Sequence, residues 1–204
     1  MKKLESTFIN MVSVLVIVAC ISGGLMAFVN KMTEEPIKLQ NRKSLSEGIK
    51  MVMAVSELKV SRSDTVKSKE MRSDFIVHHV SSPKGVPLGA AVESVVLGFG
   101  GDMKVLVGFN AKGKILGYTI LQSSETPGLG QKADRWFQLG GKGCVVGREL
   151  DESKPLAVKN DGGDVDAITA STITSRAFLK AINQAYIAYL RCRINSNNEV
   201  PRKK

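Results

Sequence analysis

The chain has little of what metal, iron–sulfur and nucleic-acid proteins need. Its 204 residues include three cysteines and two histidines. Cys20, Cys144 and Cys192 form no Cys-x-x-Cys or Cys/His spacing, so the sequence offers no metal or iron–sulfur set. A Cys144–Cys192 disulfide and two lone thiols both remain open. His78 and His79 are adjacent; on a strand they point to opposite faces and read as structural. The formal net charge of +10 suggests an acidic partner, but aromatic content is only 5% and the basic residues are dispersed. With no basic recognition helix, nucleic acid is excluded. A solvated basic surface is the simplest reading, with anionic lipid headgroups or an acidic protein as the alternative partner. No internal repeat or low-complexity segment is present. No histidine or carboxylate pair forms an acid–base dyad, so no catalytic residue is assigned.

Charge is also missing from Phe8 to Val29, FINMVSVLVIVACISGGLMAFV. About 20 apolar helical residues cross a bilayer core, whereas the core of a cleaved signal peptide is shorter, about 7 to 15 residues. Ile17-Val18-Ala19-Cys20 is similar to a lipobox, but the apolar run continues past Cys20. Residues 1–32 therefore read as a short tail and one transmembrane anchor. Lys2 and Lys3 hold the N-terminus in the cytoplasm by the positive-inside preference, which places the rest of the chain on the periplasmic or outer side of a bacterial inner membrane.

The remaining length suits one globular domain. Residues 33–72 read as a linker helix and connection: a helical segment over 33–60 that restarts near Thr33, with Pro36 in its first turn, then a polar loop from Ser61 to Arg72. The folded domain is set at 73–194 and a polar tail at 195–204. Within the domain, Phe75–Val80, Ala90–Phe99, Met103–Asn110 and Lys114–Gln122 are short, β-branched-rich and bounded by turn residues, which predicts an antiparallel meander. Asn110 to Gly113 reads as a hairpin turn. A short helix is predicted over Gln131–Leu139, ended by the glycines of 140–143. From Ser171 to Arg193 the apolar positions Phe178, Ile182, Ala185, Tyr186 and Tyr189 recur at helical period. The fold class is α+β.

Two segments carry chemistry. DGGDVDAITASTITSR delivers Thr169, Ser171, Thr172, Thr174 and Ser175 to the start of the last helix. Ordinary capping explains part of this, with Thr169 as the cap and Asp164 and Asp166 near the positive end of the helix dipole. The second segment is Glu125-Thr126-Pro127-Gly128-Leu129-Gly130, which alone is a turn. Trp136 and Phe137 follow it and are placed to pack beside it, although a single tryptophan is more often core.

Together these segments resemble the G subunit of the Rnf complex, a membrane-bound assembly that couples electron flow between ferredoxin and NAD to ion translocation. Residues 166–175 are similar to the family's flavinylation motif, and residues 125–130 to a loop of its covalent FMN domains. The resemblance implies FMN joined by a phosphoester to Thr172, with Asp166, Thr169, Ser171, Ser175, Glu125, Thr126, Gly128, Leu129 and Gly130 around it. It also implies a separate flavin transferase, other membrane subunits of the complex and the lipid bilayer as partners. Thr169-Ala170-Ser171 replaces the commoner Ser/Thr-Gly-Ala; Ala170 is taken to suit a helical start, and Ser171 becomes the competing acceptor. Related alternatives are the FMN subunit of a sodium-translocating NADH:quinone reductase and a tethered binding protein without a cofactor.

Overall fold

The structure is a computed structural model that describes residues 7–55, 57–67 and 74–198, without the side chains of 195–198. Lys2, Lys3, residues 68–73 of the polar loop and residues 199–204 of the tail lie outside the described residues. The chain divides into two compact units, 1–44 and 45–204.

Helix α1 runs from Phe8 to Met53 without the break expected near Thr33, and Pro36 lies in its interior. A proline there removes one backbone hydrogen bond and crowds the preceding turn. Helix-forming neighbours offset part of that cost. Lys38 Nζ pairs with Glu34 at 2.6 Å across the proline, an i,i+4 contact that contributes a few tenths of a kcal/mol. The Thr33 hydroxyl donates to the Val29 and Asn30 carbonyls. The segment is long and apolar enough to cross a membrane, and Phe8, Leu15, Leu25 and Phe28 are exposed along it.

In the second unit five strands form one antiparallel sheet in the order β1-β2-β3-β4-β5. They are β1 (Lys59–Val66), β2 (Phe75–Ser81), β3 (Pro87–Leu97), β4 (Asp102–Asn110) and β5 (Ile115–Ser123). Strand β1 corrects the expected polar loop. Its sequence KVSRSDTV buries almost nothing, so it lacks the apolar alternation that marks a half-buried strand. Backbone pairing with β2 from Lys59↔Ser81 to Val66↔Phe75 holds it at the sheet edge. The β4–β5 turn is the expected hairpin. Asn110 Oδ1 accepts the N–H groups of Lys112 and Lys114 at 2.9 Å each, and Gly113 takes φ +88°, which disfavours any side chain.

Each face of the sheet has its own cover. The end of α1 lays Ile49, Val52 and Met53 against Val80, Ala91 and Leu106. Gly108 and Gly117 pair across β4 and β5 and make room for it, since a Cβ at Gly108 would lie 2.4 Å from the Val52 carbonyl. The other face carries helix α3 (Thr172–Asn198). Phe178 stacks on Phe137 at 4.4 Å and meets Tyr118 edge-on at 4.7 Å, contacts that add about 0.5–1.5 kcal/mol each beyond area burial. The short helix α2 (Ala133–Trp136) is anchored by the Tyr118 hydroxyl, which donates to the Ala133 carbonyl at 2.6 Å. Phe137 is in the core, and Trp136 is partly buried against it. Cys144 and Cys192 are both free thiols, so the disulfide is not formed.

Candidate functional site

A cavity of about 400 Å³ lies where three loops meet, lined by Phe99, Glu125, Thr126, Leu129, Gly130 and residues 170–174. Small-molecule sites occupy about 300–1,000 Å³. Its floor is the first turn of α3. The first intrahelical bond runs from Ser175 N–H to the Ser171 carbonyl at 3.0 Å, which makes Ser171 the N-cap position, not Thr169. The N–H groups of Thr172, Ile173 and Thr174 precede that bond and have no partner inside the helix.

The approach to the helix is a tight turn, with Ser171 N–H bonded to the Ile168 carbonyl at 3.0 Å. Ala170 sits in it at φ +61°, in the left-handed region. The expectation that alanine here suits a helical start is therefore corrected: the residue lies outside the helix in a conformation that glycine adopts most easily. Ser175 secures the turn from below. Its hydroxyl accepts the Ile168 N–H and donates to the Ser171 carbonyl, both at 2.9 Å.

Glu125 is the tie between the loops. It is 7% exposed, and its Oε1 accepts the Phe99 N–H at 2.7 Å while Oε2 accepts the Thr174 hydroxyl at 2.9 Å. Its charge lies at the N-terminal end of α3, where the helix dipole favours an anion. The glycines around it are required by space. A Cβ at Gly98 would lie 2.0 Å from Glu125 Oε1, and one at Gly130 would lie 2.4 Å from Oε2 and 2.8 Å from the Thr174 hydroxyl. Gly128 is different, with open space around it and φ +75° at the loop's outer bend.

The hydroxyl run divides by environment. Thr169 is exposed and outside the cavity lining, while Thr174 and Ser175 are buried with their hydroxyls engaged. Ser171 is buried and Thr172 partly buried, and both line the cavity. Asp166 is not at the cavity. Its carboxylate pairs with Lys159 at 2.8 Å, and its backbone carbonyl accepts the Trp136 indole N–H at 2.8 Å. Thr126, Leu129 and Gly130 are at the lining, whereas Gly128 borders a neighbouring hollow with Lys132 and Arg135. Phe99 and Ile173 are lining residues that the two motifs do not single out. An isolated phenylalanine among Gly98, Gly100 and Gly101 is the signal that could have marked the first.

The lining suits a flavin phosphate. Phe99, Ile173 and Leu129 are 69%, 53% and 42% exposed, an uncovered apolar rim for a flat ring. Beside it the free N–H groups and dipole of α3 suit a phosphate.

The FMN-binding domain family matches residues 98–187, a span that contains the whole cavity. The crystal structure of Shewanella oneidensis NqrC is similar in fold, with TM-score 0.57 at 16% identity over 78% of this chain and 98% of that one. Among curated proteins, the G subunit of the ion-translocating oxidoreductase complex of Vibrio parahaemolyticus is 37% identical over 82% of each chain. That of Shewanella oneidensis is 34% identical over 84% of each. At that identity over more than four-fifths of its length, the chain belongs to the family of G subunits of the ion-translocating oxidoreductase complex.

Proposed function

We propose that the chain is the membrane-anchored FMN subunit of an Rnf-type complex, relaying electrons between ferredoxin and NAD partners while the complex translocates ions, and that Thr172 carries the FMN. The observation that carries the acceptor assignment is the sorting of the hydroxyls. Among the described residues Thr172 combines cavity lining, partial exposure and a side chain with no hydrogen-bond partner. Thr174 and Ser175 would have to break buried bonds to react, and Ser171 is covered.

The bound flavin supplies one- and two-electron redox chemistry. The chain's own residues position it. Thr172 gives the covalent oxygen, the N–H groups of residues 172–174 receive the phosphate, and Phe99, Leu129 and Ile173 shield the ring. Glu125 keeps the three loops in register. Attachment is the work of a separate flavin transferase: the Thr172 oxygen bonds to the flavin-side phosphorus of FAD, the phosphoanhydride breaks, AMP leaves and the hydroxyl proton goes to a base of the transferase. No base is needed in this chain.

Lys2 and Lys3 favour a cytoplasmic N-terminus, with α1 in contact with lipid and the flavin domain on the periplasmic or outer side. Co-expression with the transferase tests the acceptor. Thr172→Ala removes the flavin fluorescence that survives denaturing electrophoresis, and Ser171→Ala retains it; a flavin-bearing peptide mapped to Ser171 overturns the assignment. For topology, an impermeant amine reagent reaches Lys112 from outside, and an N-terminus that begins after Ala19 refutes the anchor.

A further inference from the structure

The fold gathers three metal-type donors that lie far apart in sequence. Asp64 comes from edge strand β1, His79 from β2 and Cys192 from the C-terminal part of α3, and one donor atom from each lies within 4.8 Å of the others. Strand register explains the first pair. Asp64 is opposite Val77 and Arg62 is opposite His79, so Asp64 and His79 are diagonal neighbours on one face, with His79 Nε2 3.0 Å from Asp64 Oδ2. Arg62 donates to the other oxygen, Oδ1, and fixes the carboxylate with Oδ2 toward the histidine. Cys192 closes the group from above and is 6% exposed.

We propose that Asp64, His79 and Cys192 form a mononuclear site for a divalent transition metal of the zinc type, with water as the fourth ligand. A thiolate, an imidazole and a carboxylate form a borderline-soft donor set suited to zinc. Tetrahedral bonds of about 2.0–2.3 Å place ligand atoms roughly 3.3–3.8 Å apart. His79 Nε2 and Asp64 Oδ2, 3.0 Å apart, would open slightly to admit the ion, and Cys192 Sγ lies within 4.8 Å of a donor atom of each. His79 and Asp64 are 30% and 19% exposed, so solvent reaches this pair.

A divalent cation would bind Cys192 as its thiolate and release the thiol proton. The location gives the site a purpose. Strand β1 has almost no buried side chains, so a metal joining it to β2 and α3 would fasten the least anchored strand of the sheet.

The test is cobalt titration of the full chain in detergent after chelator treatment. We expect one Co²⁺ per chain, tetrahedral ligand-field bands in the red where flavin does not absorb, a thiolate-to-metal charge-transfer band, and displacement by Zn²⁺. Cys192→Ser removes the charge-transfer band. His79→Gln, at a partly exposed position that tolerates the change, weakens Co²⁺ binding by more than about tenfold. A pale octahedral spectrum without the thiolate band, or unchanged affinity in His79→Gln, overturns the proposal.

Discussion

Ala170 offers a direct measure of how the acceptor turn is held. It occupies φ +61°, where a Cβ crowds the following carbonyl at a cost of about 1–2 kcal/mol. Replacing it with glycine removes that crowding but adds chain entropy to the unfolded state, a loss of about 0.4–1 kcal/mol. Ala170 is exposed, so little packing is forfeited. The net expectation for Ala170→Gly is a gain of about 0.8 kcal/mol, within a span of about 0–1.6 set by the difference between those two effects. For a domain of this size each kcal/mol moves the midpoint by about 2–4 °C, so the melt of the flavin-free chain rises by about 1–4 °C. Ala170→Val moves the other way, because a β-branched residue tolerates the left-handed region less well than alanine. Differential scanning fluorimetry of the three proteins in one detergent gives the order Gly, Ala, Val. Equal midpoints for Val and Ala, or a lower one for Gly, would refute the claim that backbone crowding limits this turn.

Other perturbations probe the surrounding ties. Gly130→Ala drives a Cβ into Glu125 and the Thr174 hydroxyl; it should reduce covalent flavin on denaturing gels even though Thr172 is intact. Thr174→Val leaves Glu125 Oε2 buried without its donor, and denaturant melts should show a loss of about 1–3 kcal/mol. On the opposite face, burial pushes Glu93 up, but hydrogen bonds from His78 and Lys104, with their charges, take it below the usual glutamate value of 4.5. A lowered folded-state pKa means that this carboxylate's contribution is complete above the unfolded value and fades as pH falls through the folded one. Melting midpoints should therefore drop on acidification below about pH 4.5, with a smaller drop in Glu93→Gln. Unchanged acid sensitivity in that variant would locate the effect elsewhere.

The strands that carry core residues were legible because alternation and turn residues agree. Phe75–Val80 and Met103–Asn110 match β2 and β4 nearly end to end. Strand β1 was not legible, since it is held mainly by backbone pairing with β2 and by polar side-chain contacts, with almost no buried apolar residue to mark it. Pro36 misled for a related reason: its local cost is visible in sequence, while the cooperativity of the long helix around it is not. At the site, the two motifs converge on one cavity, because residues 125–130 and 169–175 supply most of its lining. What they hide is direction. The hydroxyls differ in burial by helical phase, and Asp166 turns away to Lys159. The grouping of Asp64, His79 and Cys192 depends on strand register and helix docking across more than half of the chain, which no local spacing encodes.

The serial order of the sheet has a consequence for when the protein becomes competent. Every strand pairs with its neighbour in sequence, so loop closures are short and the meander can form rapidly as the chain emerges. Helix α3 is the last element, and its packing requires the finished face of that sheet. The turn that presents Thr172 is tied to the 125–130 loop by the Thr174–Glu125 bond, which needs α3 in place. On the proposed assignment of Thr172 as acceptor, a transferase that reads this turn would need the α3 contacts in place to meet its target. Flavin attachment at Thr172 would then report a finished domain, since the residue is presented by the last helix in the chain.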